Sequence, residues 1–233
     1  MKVPQPDAQV GIDGGTSYRL SMIRLSIDGA LDRARQLSAR PGRVMLGLVG
    51  CPGTGKSTVA ERIAAVTGAV VVPMDGFHLA NSELVRLGVR DRKGAPETFD
   101  ADGYVALLSR LRHPTGGPVY APAFDRRIGE SVAGSIAVSS SATFVVTEGN
   151  YLLHWPEARQ HLDEVWYVEV DDALRIERLI ARHVEFGKSP DAAREWVMRS
   201  DEANAAIVRA TASLADAVVR LPLADGEADL KSA

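Results

Sequence analysis

The 233-residue chain holds one cysteine, Cys51. No internal disulfide can form, so the fold is not a disulfide scaffold, and a reducing cytoplasm is the simplest home. Positive charge is not in excess: 27 Lys and Arg face 30 Asp and Glu, a formal net charge of −3. A general nucleic-acid binder carries a basic footprint, so that class is disfavoured, while a local basic pocket stays compatible. No apolar run approaches the roughly 20 residues of a membrane span. The opening Met1-Lys2-Val3-Pro4-Gln5-Pro6-Asp7 lacks the apolar stretch of a signal peptide. Internal repeats, low-complexity tracts and the Asn-Lys-x-Asp of base-reading GTPases are also missing. What remains is an ordinary globular mix, 45% hydrophobic and 24% charged, in a chain long enough to bury a core without staples.

Residues 1–20 contain two prolines, Gly11, Gly14 and Gly15, and no periodic apolar pattern, so they read as a flexible extension. A helix is expected at about 27–38, with Leu31, Ala34 and Leu37 on one face, ended by Pro41-Gly42. An α/β alternation follows. Continuous apolar runs at 44–49, 69–73 and 143–147 are expected strands, each buried on both faces. Further strands are expected at 164–170 and 215–221. Helices are expected at 56–66, 101–111, 172–186 and 191–210, and the small acidic tail from 224 is expected to fray. Buried strands alternating with helices imply a three-layer α/β/α domain over residues 21–223, with a mostly parallel sheet of five strands.

Gly50-Cys51-Pro52-Gly53-Thr54-Gly55-Lys56-Ser57 matches the Walker A phosphate loop in full. Treated as independent positions at this composition, chance would write it about 0.004 times in the chain, so coincidence is not the explanation. The octet also sits between an expected buried strand and an expected helix. Its glycines let successive backbone N–H groups turn inward onto phosphate oxygens, and the helix start adds unpaired N–H groups. Lys56 is placed to reach the β- and γ-phosphates, Ser57 to offer a hydroxyl to Mg²⁺, and Thr58 to reach an α-phosphate. Cys51 lies inside the loop, where a small residue simply fits; the other reading is that the helix dipole activates its thiol, so that alkylation blocks nucleotide binding.

Two carboxylates sit at strand ends, where ligands of open parallel sheets bind. The second expected strand runs into Met74-Asp75-Gly76-Phe77-His78. Asp75 there can accept the proton of an attacking hydroxyl; capping the next segment is the alternative. His78 either lines the acceptor site or packs against the turn. The third ends in Thr147-Glu148-Gly149-Asn150, where Glu148 can hold Mg²⁺ directly or through water, or cap a turn.

Beyond the phosphate loop, Asp75-Gly76-Phe77, Arg92-Lys93-Gly94-Ala95-Pro96-Glu97-Thr98-Phe99-Asp100, Val119-Tyr120-Ala121-Pro122 and Glu148-Gly149 occur in that order. In these motifs the chain resembles the phosphoribulokinase, uridine kinase and bacterial pantothenate kinase group of P-loop kinases, over about residues 42–221. The resemblance implies the nucleoside-monophosphate-kinase sheet order, ATP as donor, Asp75 as base, and Glu148 with Ser57 around Mg²⁺. It also implies a basic helical lid at about 175–190, in which Arg178 and Arg182, four residues apart on one helix face, clamp the triphosphate. The chain departs from pantothenate kinases after Pro122, where Ala123-Phe124-Asp125-Arg126-Arg127 replaces their aromatic-rich acceptor segments.

The expected activity is ATP-dependent phosphoryl transfer to a hydroxyl of a small metabolite: a nucleoside, pantothenate or a sugar. Gly50, Cys51, Pro52, Gly53, Thr54, Gly55, Lys56, Ser57 and Thr58 would hold the nucleotide. Lys56, Asp75, Arg178 and Arg182 would serve catalysis, while Asp75, His78, Arg92, Tyr120 and Arg127 meet the acceptor. The other reading is a nucleotide-binding regulatory or transport-accessory protein without turnover. Neither nucleic acid nor membrane is an expected partner, and a homodimer is compatible with either reading. Ser200-Asp201-Glu202-x-Asn204 stands out on the late helix without an assigned role.

Overall fold

The computed structural model describes residues 22–222. The first half contains β1 (Ile23–Leu25), α1 (Ile27–Ser38), β2 (Val44–Val49), α2 (Lys56–Thr67), β3 (Val70–Pro73), α3 (Asn81–Arg86) and α4 (Ala101–Arg112). The second half contains β4 (Val119–Asp125), β5 (Glu130–Val138), β6 (Phe144–Gly149), α5 (Pro156–Arg159), β7 (Glu164–Glu169), α6 (Asp172–Glu185), α7 (Pro190–Trp196), α8 (Glu202–Thr211) and β8 (Ala217–Arg220). The expected extension at 1–20 and tail at 224–233 fall outside the described residues.

Every residue of β2 and β6 is buried, and continuous burial of a strand requires cover on both faces. Six of the strands form one sheet in the order β1-β8-β7-β2-β6-β3, with every pair parallel. Sheet alternation splits β2 between two cores. Leu46 and Leu48 join Ala30, Ala34 and Leu37 of α1 and Val59 and Ile63 of α2. Met45 and Val49 join Tyr104 and Leu108 of α4 and Val208 of α8 on the opposite face. Arg33 of α1 fixes its layer by donating through Nε and Nη2 to the Glu164 carboxylate, at 2.8 and 2.9 Å. Among the described residues no helix is long and apolar enough to cross a membrane.

The sheet has six strands rather than five. The additional β1 has three residues, pairs only with β8 at the edge, and is mostly exposed. A second difference is an antiparallel hairpin of β4 and β5 outside the main sheet. Its register shifts between Ala121 and Ala123, around Pro122, which cannot donate to a ladder. The hairpin packs against the turn after β3, where Gly76 lets it approach: a Cβ there would meet the Pro122 oxygen at 2.3 Å. A third difference is that the long helix expected at 191–210 is two helices. A π-helical turn, Val197–Asp201, separates α7 from α8.

Register gathers the chemistry on one edge. Val49 pairs with Gly149 and Pro73 pairs with Glu148. The phosphate loop, the Asp75 turn and Glu148 therefore leave the sheet at the same level. β6 lies between β2 and β3, so Glu148 sits between the loop and Asp75 in strand order.

Candidate active site

The loop between β2 and α2 depends on its glycines for two different reasons. Gly53 and Gly55 hold positive φ angles of 83° and 88°, which L-residues with a Cβ avoid. Gly50 is needed for space: a Cβ would lie 2.5 Å from the Val168 oxygen and 2.8 Å from Thr54 Oγ1. Pro52, Gly53, Gly55, Lys56 and Ser57 border a cleft of about 770 Å³, together with Thr58. Gly50, Cys51 and Thr54 lie behind that surface. The Thr54 hydroxyl donates to the Cys51 carbonyl at 3.0 Å.

The Cys51 thiol is buried at 3% exposure, 3.4 Å from the Tyr167 hydroxyl and 3.6 Å from the Ala205 carbonyl. The burial agrees with a small residue that simply fits and speaks against alkylation competing with nucleotide, since the thiol faces the core and only backbone remains to serve the loop.

Lys56 begins α2, and its ammonium folds back over the loop. It donates to the Gly50 carbonyl at 2.9 Å, the Cys51 carbonyl at 3.2 Å and Asn150 Oδ1 at 2.9 Å. Burial holds the ammonium pKa below its ordinary value against the opposing pull of Glu148 and Asp75. The Ser57 hydroxyl donates to Glu148 Oε1 at 3.0 Å. Burial, and then the charge of Asp75, raises the Glu148 carboxyl pKa despite Lys56 and the Ser57 hydrogen bond. Asn150 was not anticipated, although it stands two residues beyond Glu148, where the chain leaves β6.

Asp75 lies on a 3₁₀ turn, Met74–Phe77, directly after β3. Arg126 Nη2 stands 3.5 Å from its carboxylate. His78 packs against the turn and also reaches the cleft. It borders the cleft, and its ring packs between Phe99 and Phe124, with centroids 4.0 and 4.7 Å away. Its Nδ1 is 2.7 Å from the Asp75 carbonyl, and burial lowers its pKa.

Three expected acceptor residues stand outside the cleft lining. Arg92 pairs with Glu97 at 2.8 Å, with both side chains exposed. Tyr120 is 55% exposed on β4, and Arg127 pairs at 2.7 Å with Asp125, its own side chain 85% exposed. Their neighbours Arg90, Lys93 and Arg126 border the cleft instead. Arg90 and Lys93 flank Arg92 and Arg126 precedes Arg127, each pair set apart by a turn whose direction has no sequence period, while neither neighbour of Tyr120 borders the cleft.

Arg178 and Arg182 project from α6 into the cleft lining. Burial, then Arg126, lowers the Arg182 pKa, while Asp201, Asp75 and Glu148 oppose the shift. Arg175, one turn earlier, is buried along with Leu179 of the same helix. It donates to the Pro52 carbonyl at 3.3 Å and to Asp172 at 2.8 Å, and pairs closely with Glu202. The π turn carries Asp201 and leads to Asn204, both in the cleft wall. Asp201 Oδ2 stands 2.9 Å from His183 Nε2, joining α6 to that turn. The motif left without a role thus divides, Glu202 behind the phosphate loop and Asp201 with Asn204 facing the cleft.

The donor set fits a magnesium nucleotide. Among the described residues no group of three His, Cys, Asp or Glu could hold a metal alone. Mg²⁺ is commonly held by one or two protein oxygens plus substrate phosphates, and Ser57 with Glu148 offers that pair. Pro52, Gly53, Gly55 and Lys56 line the cleft at the start of α2, where unpaired backbone N–H groups suit a phosphate chain.

The sequence and fold have known counterparts. The sequence matches the Phosphoribulokinase / Uridine kinase family over residues 45–225. It is 32% identical over 212 residues to "Putative uridine kinase C227.14" of Schizosaccharomyces pombe, covering 84% of this chain and 90% of that protein. The crystal structure of a "putative fructose transport system kinase" from Silicibacter sp. TM1040 superposes with a TM-score of 0.74 at 37% identity, covering 81% and 97% of the two chains. YFH7 of Saccharomyces cerevisiae shares the fold, with a TM-score of 0.72 at 18% identity over 85% and 100% of the chains. With a full phosphate loop, a parallel sheet of matching architecture and a family match over most of its length, the chain belongs to the phosphoribulokinase/uridine kinase family of P-loop kinases.

Proposed function

We propose that the protein transfers the γ-phosphoryl group of ATP to a hydroxyl of a small metabolite, with Asp75 as the base. The observation that carries this reading is the convergence of Lys56, Glu148 and Asp75 on one sheet edge around one cleft. Their charges act on one another, as the shifts at Lys56 and Glu148 attest. In the reaction the acceptor hydroxyl gives its proton to Asp75 and its oxygen bonds to the γ-phosphorus. The bond from that phosphorus to the bridging oxygen breaks, and ADP leaves. Ser57 and Glu148 would hold Mg²⁺, which neutralises charge on the phosphates when bound. Lys56 leaves its carbonyl partners for the β- and γ-phosphates, and Arg178 and Arg182, on the segment at about 175–190, close over the transferred group. Positioning and neutralisation do most of the work, because the transition state is loose.

A sensor without turnover would need the phosphate loop but no base opposite it. The decisive experiment is ATP consumption by the wild type and Asp75→Asn against a panel of nucleosides, pantothenate and sugars, classes that include those named for relatives. Turnover with one class is expected, falling by about 10² or more in Asp75→Asn while ATP binding persists. A flat response to every acceptor would favour the sensor; undiminished turnover in Asp75→Asn would remove the base assignment.

A further inference from the structure

The hairpin side of the cleft is more basic than a neutral acceptor needs. Arg90, Lys93 and Arg126 all border it. Among the described residues, neither Arg90 nor Lys93 has a carboxylate within ion-pair distance, and Arg126 has only Asp75, at 3.5 Å. Lys93 spends its hydrogen bonds on uncharged oxygens, Asn81 Oδ1 and the Gly129 carbonyl, both at 2.7 Å. The nearby Glu130 carboxylate is occupied by the Asn81 backbone N–H, 3.1 Å from each oxygen. Burial lowers the Lys93 pKa, the Glu130 carboxylate opposes that shift, and Arg90 lowers it further, so two cations repel each other across this wall. The ammonium also lies 5.1 Å from the centre of the Phe124 ring, the outer member of the row Phe99, His78, Phe124.

Arg90 and Arg126 are exposed and Lys93 is half-buried, and positive charge clustered along a cleft wall draws an anionic ligand toward it. Lys56, Arg178 and Arg182 lie on the side of the phosphate loop, where the triphosphate supplies that anion. Arg126 stands beside Asp75, within reach of the Arg182 charge, and Lys93 lies over Phe124 of the ring row. Resting on the kinase reading above, we propose that the acceptor itself is an anion: a hydroxyl compound whose phosphate or carboxylate group is held by Arg126, Lys93 and Arg90. Uncharged nucleosides and sugars would leave this wall unsatisfied.

The test pairs neutral compounds with anionic counterparts: fructose against fructose 6-phosphate, and pantothenol against pantothenate. Binding is measured calorimetrically on the full chain with Mg²⁺ and a non-hydrolysable ATP analogue, and turnover is measured separately with ATP. At least one anionic member is expected to bind tenfold or more tighter than its neutral partner. Arg126→Gln is expected to reduce that ratio about tenfold while the affinity for the ATP analogue stays within twofold. The ratio isolates charge recognition from a general loss of folding, and Lys93→Gln provides an independent variant. Neutral members binding as well as both anions, or no anionic member binding, would overturn the inference whatever the turnover. An Arg126→Gln defect in ATP affinity alone would also overturn it, by moving Arg126 to the nucleotide side. Anion binding without ATP consumption would leave the inference standing and remove the kinase reading, while turnover confined to neutral acceptors would do the reverse.

Discussion

Ser57 and Glu148 are 91 residues apart in sequence, yet the hydroxyl of one donates to the carboxylate of the other at 3.0 Å. The contact closes the gap between the phosphate loop and β6 with two oxygens suited to one cation. It also holds a carboxylate in a place that disfavours its charge. Burial raises the Glu148 pKa above its ordinary value of 4.5, so the folded state keeps a proton that the unfolded chain has already lost. Folding stability then falls as pH rises from the ordinary carboxylate value through the raised one. Glu148→Gln keeps the acceptor oxygen and removes the charge. In the nucleotide-free protein at neutral pH it is expected to raise Tm by about 2 °C. It is also expected to lower Mg²⁺-dependent turnover by about a hundredfold. Calorimetry with a magnesium titration of activity checks both; a lower Tm with unchanged turnover would contradict the assignment.

Arg175 is buried at 1% side-chain exposure and ties α6, α8 and the phosphate loop together. Asp172 and Glu202 also meet Arg209, at 3.1 and 3.3 Å, so two guanidinium groups share two carboxylates. Arg175→Met removes one cation from that set and loses the bond to the Pro52 carbonyl. A cost of about 3 kcal/mol is expected, which lowers Tm by several degrees, with weaker ATP binding through a looser loop. Arg175→Lys is not expected to rescue it, because one ammonium cannot span Asp172, Glu202 and Pro52 at the same time. Chemical denaturation and nucleotide titration measure the two effects, and full rescue by lysine would show that charge alone matters.

Gly76 separates the Asp75 turn from the hairpin. A Cβ there would meet the Pro122 oxygen at 2.3 Å and its carbonyl carbon at 2.7 Å, and neither backbone atom can swing aside. Gly76→Ala is expected to cost about 1–3 kcal/mol of stability. It should also displace the wall carrying Arg126, raising KM for the acceptor more than KM for ATP. Equal changes in both constants would mean that the hairpin does not shape the acceptor side.

The sequence was most informative where burial is periodic. Ala30, Leu31, Ala34 and Leu37 mark one face of α1, and the unbroken apolar run of β2 marks a central strand. The rule that ligands sit at carboxyl ends of parallel strands then led to Asp75 and Glu148. The hairpin escaped notice because β5 is largely exposed and broken by Gly134, while β4 contains Pro122. The π turn left no signature: residues 191–211 contain neither glycine nor proline, so a backbone hydrogen-bond shift alone carries Asp201 into the cleft. Arg126 and Arg127 are adjacent and chemically identical; only the turn geometry makes one face Asp75 and the other pair with Asp125.

Cys51 provides the remaining prediction. Its position inside a helix-capping loop suggests a reactive thiol, but its side chain lies in the core beside Tyr167 and Ala205. A buried thiol in such surroundings behaves as a small apolar group, and no alkylating agent reaches it while β2 and α8 stay packed. N-ethylmaleimide is therefore expected to label the native protein at least a hundredfold more slowly than the urea-unfolded chain, at a rate that tracks global unfolding. Nucleotide should slow labelling only as far as it stabilises the fold. Cys51→Ala is expected to retain ATP binding within a few-fold, because the loop uses that residue's backbone. Intact-mass spectrometry over a urea series gives the rates; native labelling as fast as in the unfolded chain would mean that the loop opens locally and exposes the thiol to solvent.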